Sequence, residues 1–217
     1  MKFNWDNRFF QALSKLVDCM ALSALWFFCS LPIITFGAST SALYYAIHKS
    51  VRGNRGYMTK NFFHAFTKGF KQSTLSWLVR LIVQIILGMD AYITYHTLKA
   101  GNTLGTFFYF FLIMIVFSII WACYLFPYIA RFEDGVKTTL KNSLFMMIIH
   151  LPWSLLVLVL FALAAFVVYL FPILIFLIPA LLFLTLDAVL ERIFRKYMSP
   201  EDLEQEKEND LVDRMDD

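Results

Sequence analysis

Residues 151–186 read LPWSLLVLVLFALAAFVVYLFPILIFLIPALLFLTL, and this stretch decides the class of the protein. Its 36 residues include no Asp, Glu, Lys, Arg or His. A helix needs about 20 mainly apolar residues to cross the hydrocarbon core of a bilayer, so the stretch is long enough for two crossings. Two further charge-free stretches, of 29 and 31 residues, lie at 19–47 and 100–130. Because a soluble core could not bury three such stretches around their whole circumference, the sequence predicts a membrane protein.

The composition supports the same class. Hydrophobic residues make up 59% of the chain and charged residues only 16%, with a mean hydropathy of +0.64. A soluble domain has about 25% charged residues, since its surface must be solvated. The formal charge of +3 combines +10 in residues 1–198 with −7 in residues 199–217. We therefore expect a basic helical membrane domain over 1–198 and an acidic cytoplasmic tail over 199–217, partly helical from Ser199 onward.

We predict an all-α integral membrane protein with about five transmembrane helices. The predicted spans are 17–47, 74–95, 106–129, 145–169 and 172–192. The last two share one charge-free stretch, and a tight turn is expected at Tyr169-Leu-Phe-Pro172. Proline cannot continue a helix but suits its first turn.

The distribution of Lys and Arg predicts the orientation. The segment 48–73 contains six of these residues and 131–141 contains three, whereas 96–105 contains one and 169–172 none. By the positive-inside rule, the two basic loops face the cytoplasm, and the C-terminus lies on the same side.

The first apolar stretch has several interpretations. A cleaved signal peptide is one, but the run from Cys19 to Phe36 is long for it, and Pro32 and Thr35 interrupt the run. A single kinked crossing would place Met1 outside, although the first 16 residues contain three basic side chains. A re-entrant hairpin with its tip at 32–37 would return the chain to the inside, but each arm would be only about 22 Å long. We favour one retained, kinked crossing, with a helix break marked by Pro32, Thr35 and Gly37.

Motifs of soluble enzymes are absent from the sequence. The three cysteines lie in apolar stretches without metal-binding spacing, which indicates small packed side chains. We therefore expect no enzymatic activity, no catalytic residues, no cofactor, no metal and no nucleic-acid partner.

Ionisable residues inside spans are costly in lipid and often functional. Arg80 and Asp187 lie at matching depths from the basic side, so an interhelical ion pair between them is one hypothesis. The alternative is that Arg80 extends to the headgroups while Asp187 pairs locally with Arg192 or another residue nearby in the sequence. Asp90, near the outer end of the second span, is expected at the interface.

The first basic loop contains a predicted amphipathic helix from about residue 59. Phenylalanines fall on one face and lysines on the other. We expect this helix to lie in the inner headgroup layer or, alternatively, to bind a partner protein. The candidate contact residues are Lys60, Phe62, Phe63, Phe66, Lys68, Phe70 and Lys71.

Several segments resemble the YesL family of bacterial membrane proteins. They are LPIITFGASTSALYY from Leu31, NFFHAFTKGFKQS from Asn61, FPYIARF from Phe126, KNSL from Lys141, HLP from His150 and FRKYM from Phe194. The resemblance covers about residues 9–198 and implies about five spans with no established activity. It also implies a gene neighbourhood that commonly encodes carbohydrate ABC-transporter components in Firmicutes.

Three functions compete on this basis. The leading hypothesis is an accessory or regulatory subunit that binds the permease or ATPase of a carbohydrate importer. The second is a small-solute transporter or channel, which in so small a chain would need an oligomer, with the break at 32–37 exposing backbone polar groups to a substrate. An intramembrane enzyme ranks last, because the sequence offers no paired carboxylates or histidine cluster.

Overall fold

The computed structural model describes residues 8–53 and 57–198 together with positions 200, 201, 203, 204 and 208, and residues 8–12 by their backbone alone. Predictions for the first seven residues, for Arg55, and for the helix start at Ser199 and most of the acidic tail lie outside the described residues. Eight α-helices occupy the described part: α1 Arg8–Ser30, α2 Phe36–Ala46, α3 Met58–Lys68, α4 Phe70–Lys99, α5 Phe107–Arg131, α6 Val136–Ile149, α7 Leu151–Leu170 and α8 Ile178–Phe194. Between them lie 3₁₀ turns at Ile33–Thr35, Thr103–Thr106 and Pro172–Phe176, and a π-helical extension of α2 at Ile47–Arg52.

The fold is that of an all-α membrane protein, and this prediction is confirmed. Within the described ranges, four helical segments are long and apolar enough to cross a membrane: Leu13–Ser30, Phe70–Lys99, Thr103–Arg131 and Leu151–Leu170. The fifth predicted span corresponds to α8, which begins at Ile178 instead of 172. Its 17 residues span about 25 Å at 1.5 Å per residue, and it is not among the four.

The first predicted span is two helices that fold back on each other. The Trp26 indole N–H donates to Thr40 Oγ1 at 3.1 Å, and the hydroxyls of Ser30 and Ser39 lie 2.6 Å apart. A continuous helix would separate Trp26 from Thr40 by about 21 Å. The favoured single kinked crossing is therefore wrong, and the chain turns back at Leu31–Thr35 as in the re-entrant alternative. Residues 37–44 of the returning helix α2 are buried, so protein rather than lipid surrounds this arm.

α4 and α5 form the second antiparallel pair, and their polar connection to α6 defines one end of the bundle. The Gln72 side-chain amide donates to the Asp134 carbonyl at 2.7 Å and to Thr139 Oγ1 at 2.9 Å. Lys68 forms an ion pair with Glu133. We call this end, which also contains Arg52 and Arg131, the basic end.

α6, α7 and α8 complete the bundle. The predicted start of the fourth span at 145 lies inside α6, and the break comes later, at His150, whose φ and ψ of −100° and 43° are not helical. Proline near the start of α7 suits this break, because the first helical turn needs no N–H there. α7 ends at Leu170, inside the predicted turn at 169–172, and α8 returns to the basic end.

Candidate functional site

Two carboxylates on α8 lie at the centre of the candidate site. Asp187 and Glu191 are four residues apart and therefore share one face of the helix. Their exposed fractions are 0% and 4%. Burying two carboxylates is costly unless each is paired and hydrogen-bonded, so their partners decide what the site can do.

Asp187 binds two basic side chains of the π-helical extension of α2. His48 Nδ1 lies 2.9 Å from Asp187 Oδ1, and Arg52 Nη1 lies 2.5 Å from Asp187 Oδ2. Because an ionised carboxylate only accepts hydrogen bonds, Nδ1 of His48 carries the proton that it donates. Both oxygens of Asp187 therefore accept a hydrogen bond from the π-helical extension of α2.

Glu191 binds residues of α5 and α2. Arg131 Nε lies 2.7 Å from Glu191 Oε1, and Arg131 Nη2 donates to Glu191 Oε2 at 3.1 Å. The Tyr44 hydroxyl donates to Oε1 at 3.2 Å. Tyr44 is fully buried, and its ring stacks parallel to that of His48 at a centroid distance of 6.3 Å.

These six side chains, which we call the ion cluster, connect α2, α5 and α8 at the basic end. Two guanidinium groups balance two carboxylates. Buried pairs of this kind contribute little net stability, but removing one partner is strongly destabilising because it strands the other charge. The cluster therefore specifies how the three elements pack.

The ion cluster also has the donor atoms of a metal site. One ligand atom each from His48, Asp187 and Glu191 lies within 4.8 Å of the others. Arg52 and Arg131 already bind both carboxylates, so a divalent cation would have to displace a guanidinium group. The arrangement is better suited to holding helices together than to holding a metal.

Arg80 does not reach Asp187, so the predicted ion pair is wrong. Its Nε and Nη2 donate to the Ser118 carbonyl at 3.3 and 3.2 Å. Its guanidinium lies 5.4 Å from the centroid of the Trp77 ring. Arg80 is only 7% exposed, so it does not extend to the headgroups as the alternative proposed. Asp187 pairs with residues of α2, not with Arg192 as that alternative also proposed. The third candidate, Asp90, is half-buried in the outer part of α4.

The predicted helix break is closed by protein contacts. Pro32 begins the 3₁₀ turn with an extended backbone, and the Thr35 hydroxyl donates to the Cys29 and Pro32 carbonyls at 2.6 and 2.9 Å. The Trp77 indole donates to the Ile33 carbonyl at 2.7 Å. A Cβ added at Gly37 would lie 2.6 Å from both the Ser73 carbonyl oxygen and Trp77 Cβ, so only glycine permits this approach of α2 to α4. Three backbone carbonyls at the break, which a substrate site would expose, are thus already hydrogen-bonded within the protein.

The phenylalanine face of the amphipathic helix packs differently from the prediction. Phe62 is fully buried in the hydrophobic core, and Phe66 packs against that core. Only Phe63 and Phe70 of the four aromatic residues are exposed. α3 is therefore docked on its own bundle and does not insert all four rings into lipid. The lysine side chains are exposed, as expected of the polar face: Lys60, Lys68 and Lys71.

Sequence reasoning identified Asp187 but missed its partners. The count of loop charges includes Arg52 and Arg131, but it assigns no partner to them and gives no role to His48, Tyr44 or Glu191. The sequence does contain a pattern that points to these partners. Tyr44, His48 and Arg52 are spaced four residues apart, and Asp187, Glu191 and Arg195 have the same spacing. Such spacing puts each set on one helix face and predicts two faces of complementary charge.

A protein-family model described as "Protein of unknown function, DUF624" matches residues 19–91. The matched segment is 73 of the 217 residues and includes the helix break, His48 and Arg52 but not α8. Comparison with curated proteins and with solved structures gives no match.

Proposed function

We propose that this chain is a multi-pass protein of the bacterial cell membrane that acts as an accessory or regulatory subunit of a carbohydrate ABC importer. The YesL-like segments motivate this proposal, because that family is commonly encoded beside such importers. Gene neighbourhood is an associational argument about pathway, so the physical support has to come from the surface of the molecule.

The orientation supports binding on the cytoplasmic side. The α1–α2 hairpin returns the chain to the basic end, so both basic loops and the start of α1 lie together with the end of α8. Under the positive-inside rule, a bundle with its short basic loops at one end directs that end to the cytoplasm. Lys15, in the first half of α1, then lies towards the cytoplasmic side, in agreement with this orientation.

One observation carries the proposal: α3 and the first turn of α4 together present a folded cationic and aromatic surface at the basic end, which we call the α3 surface. Phe62 holds the helix in the core, while Lys60, Phe63, Phe70 and Lys71 are exposed. A surface that is already ordered loses little conformational entropy on binding. Exposed aromatic rings beside cations are suited to a partner with an acidic, partly apolar groove.

The interior supports an accessory role over transport by a single chain. A transport pathway needs polar groups that are open to a substrate, and three backbone carbonyls at the helix break are bound by Thr35 and Trp77. The ion cluster is likewise neutralised by its own partners.

A transporter or channel built from several copies remains the second candidate, and buried charge within the helical bundle favours it. Arg80 and Asp187 are both less than a tenth exposed. Proteoliposome uptake of a solute that disappears in Asp187→Asn, with folding preserved, would support this candidate over the first.

The test of the main proposal is affinity purification of the tagged protein in mild detergent, followed by mass spectrometry. We expect the wild type to recover permease or ATPase subunits. The double variant Lys60→Glu and Lys71→Glu should lose them at least tenfold. Each single variant, Lys60→Glu or Lys71→Glu, is compared with Lys99→Glu, which makes the same change of charge at the opposite end of α4 and serves as the matched control. Recovery of no importer subunit by the wild type would reject the proposal.

A further inference from the structure

A small pocket opens beside the ion cluster at the basic end. Its volume is about 170 Å³, and it lies between the π-helical extension of α2 and the last turns of α8. The lining residues are His48, Arg52, Ala188, Glu191, Arg192 and Arg195. Pockets for drug-sized molecules usually span about 300–1,000 Å³, so this one is sized for a headgroup or a small anion and not for an oligosaccharide.

The pocket lining is strongly cationic. Three arginines face one glutamate, which leaves a formal charge of +2 with His48 neutral. Asp187 and Arg131 lie behind the lining and add one charge of each sign, so the excess is unchanged. Pairing within the ion cluster therefore leaves the net positive charge around the pocket unchanged.

The guanidinium groups are positioned on two opposing walls. Arg192 and Arg195 are three residues apart at the end of α8, which puts both on the same face. Arg52 stands opposite and is fixed through Nη1 by Asp187, while 44% of its side chain stays exposed. Arg195 is 63% exposed, and its Nε lies 3.9 Å from Glu191. Among the described residues, Arg192 forms no ion pair.

We propose that this pocket binds a phosphate-class oxyanion, either the headgroup of a phospholipid with a net negative charge or a soluble phosphomonoester. A guanidinium has five N–H donors in a planar fork that matches two phosphate oxygens, and Asp187 occupies only part of the Arg52 fork. Arg52 supplies the oriented donor, and Arg192 and Arg195 close over the remaining oxygens. The inference is independent of the importer partner, because it assigns a ligand to residues outside the α3 surface.

A simpler role for the two α8 arginines is to complement the negative end of the helix dipole. That role explains a basic residue near the end of any helix, but it explains neither the pocket nor the third arginine on the opposite wall. The dipole role also predicts no saturable response to phosphate, so one experiment can distinguish the two explanations.

The experiment measures thermal stability of the full chain in mild detergent during two titrations. One arm adds inorganic phosphate against chloride at equal ionic strength. The other adds phosphatidylglycerol against phosphatidylcholine. We expect saturable stabilisation in at least one arm, and the arm that responds identifies the soluble or the lipid source.

The double variant Arg192→Gln and Arg195→Gln should raise the half-saturating concentration at least tenfold. Lys137→Gln with Lys141→Gln, exposed at the basic end but outside the pocket lining, should leave it unchanged. If the double variant folds poorly, Arg195→Gln alone provides the comparison, because its side chain is largely exposed. No stabilisation in either arm, or equal stabilisation of wild type and pocket variant, would overturn the proposal.

Discussion

Arg131 and Arg80 are both enclosed by the same helical bundle, yet their charges are balanced in different ways. Arg131 lies at the end of α5 and binds the carboxylate of Glu191. Arg80 lies within α4 and binds only a backbone carbonyl and the face of Trp77 among the described residues. A carbonyl is a dipole and not a counter-charge. The comparison teaches that burial alone does not show whether a charge holds a fold together, since the outcome depends on what remains when it is removed.

The largest effect is expected from Asp187→Asn, which should break the ion cluster. The change strands Arg52 without its counter-charge, and loss of one partner of a buried pair costs about 3–5 kcal/mol. For a chain of this length, that corresponds to a fall of about 10 °C in the unfolding temperature. Tryptophan fluorescence during heating in mild detergent measures it. Asp90→Asn makes the same change at a half-buried position and should shift the temperature by less than 2 °C, roughly 0.5 kcal/mol. Equal shifts in unfolding temperature would show that the ion pairs of Asp187 stabilise the fold no more than the half-buried carboxylate of Asp90 does.

A smaller loss of stability is expected from Gly37→Ala, which tests the packing of α2 against α4 beside Trp77. The added Cβ would lie 2.6 Å from Ser73 O and from Trp77 Cβ, so α2 and α4 must separate, at a cost of about 1–3 kcal/mol. Gly88 lies on α4, the other helix of this contact, and a Cβ added there meets no atom within 4 Å. The control variant Gly88→Ala should raise stability by up to about 1 kcal/mol through helix propensity. A neutral Gly37→Ala would mean that the close approach of the two helices is not required.

Arg80→Met directly tests Arg80, the arginine of this comparison that binds a carbonyl instead of a carboxylate. Methionine keeps an apolar chain in the same space and removes the cost of a buried charge, while the Ser118 carbonyl stays within its helix. We expect a change within about 1 kcal/mol, of either sign, because replacing a buried charge by an apolar group is often neutral or stabilising. Urea or thermal unfolding in detergent measures it. A loss as large as that of Asp187→Asn would contradict the distinction between the two sites.

The smallest effect is expected from Lys68→Gln, which removes the exposed ion pair with Glu133. The two side chains are 63% and 82% exposed, so the pair contributes less than about 1 kcal/mol. The hydrogen bond to Glu133 raises the pKa of Lys68. Its contribution is therefore complete below the ordinary lysine pKa of about 10.4 and is lost as the pH rises through the higher folded value. A double-mutant cycle with Glu133→Gln measures the coupling, which 0.5 M salt should weaken.

Much of the fold was predictable because a bilayer imposes length and polarity on each crossing. α4 contains the predicted span 74–95, and α5 with the 3₁₀ turn before it contains the predicted span 106–129. The turn after Tyr169 follows from Pro172. The α1–α2 hairpin was not predictable by the same argument. A short arm is unsuited to lipid, but α2 is covered by neighbouring helices, so the bilayer thickness does not limit it.

The candidate site was predictable only in part. Asp187 stood out because a carboxylate in an apolar stretch is rare. Its pairing with Arg80 was inferred from depth, a one-dimensional coordinate that ignores which faces meet. His48 and Arg52 were closer in space because the hairpin brings α2 to α8.

Sequence by itself determined the membrane class, the helical content, the concentration of basic loops at one end and the acidic composition of the tail. Each follows from local properties: hydropathy, charge and the length of an uninterrupted apolar stretch. Only the tertiary structure decided that residues 17–47 fold back, that Phe62 points inward, and which base meets which carboxylate. Helical periodicity assigns a residue to a face, but the partner of that face is set by packing between segments distant in the chain. His48 and Asp187, for example, are 139 residues apart.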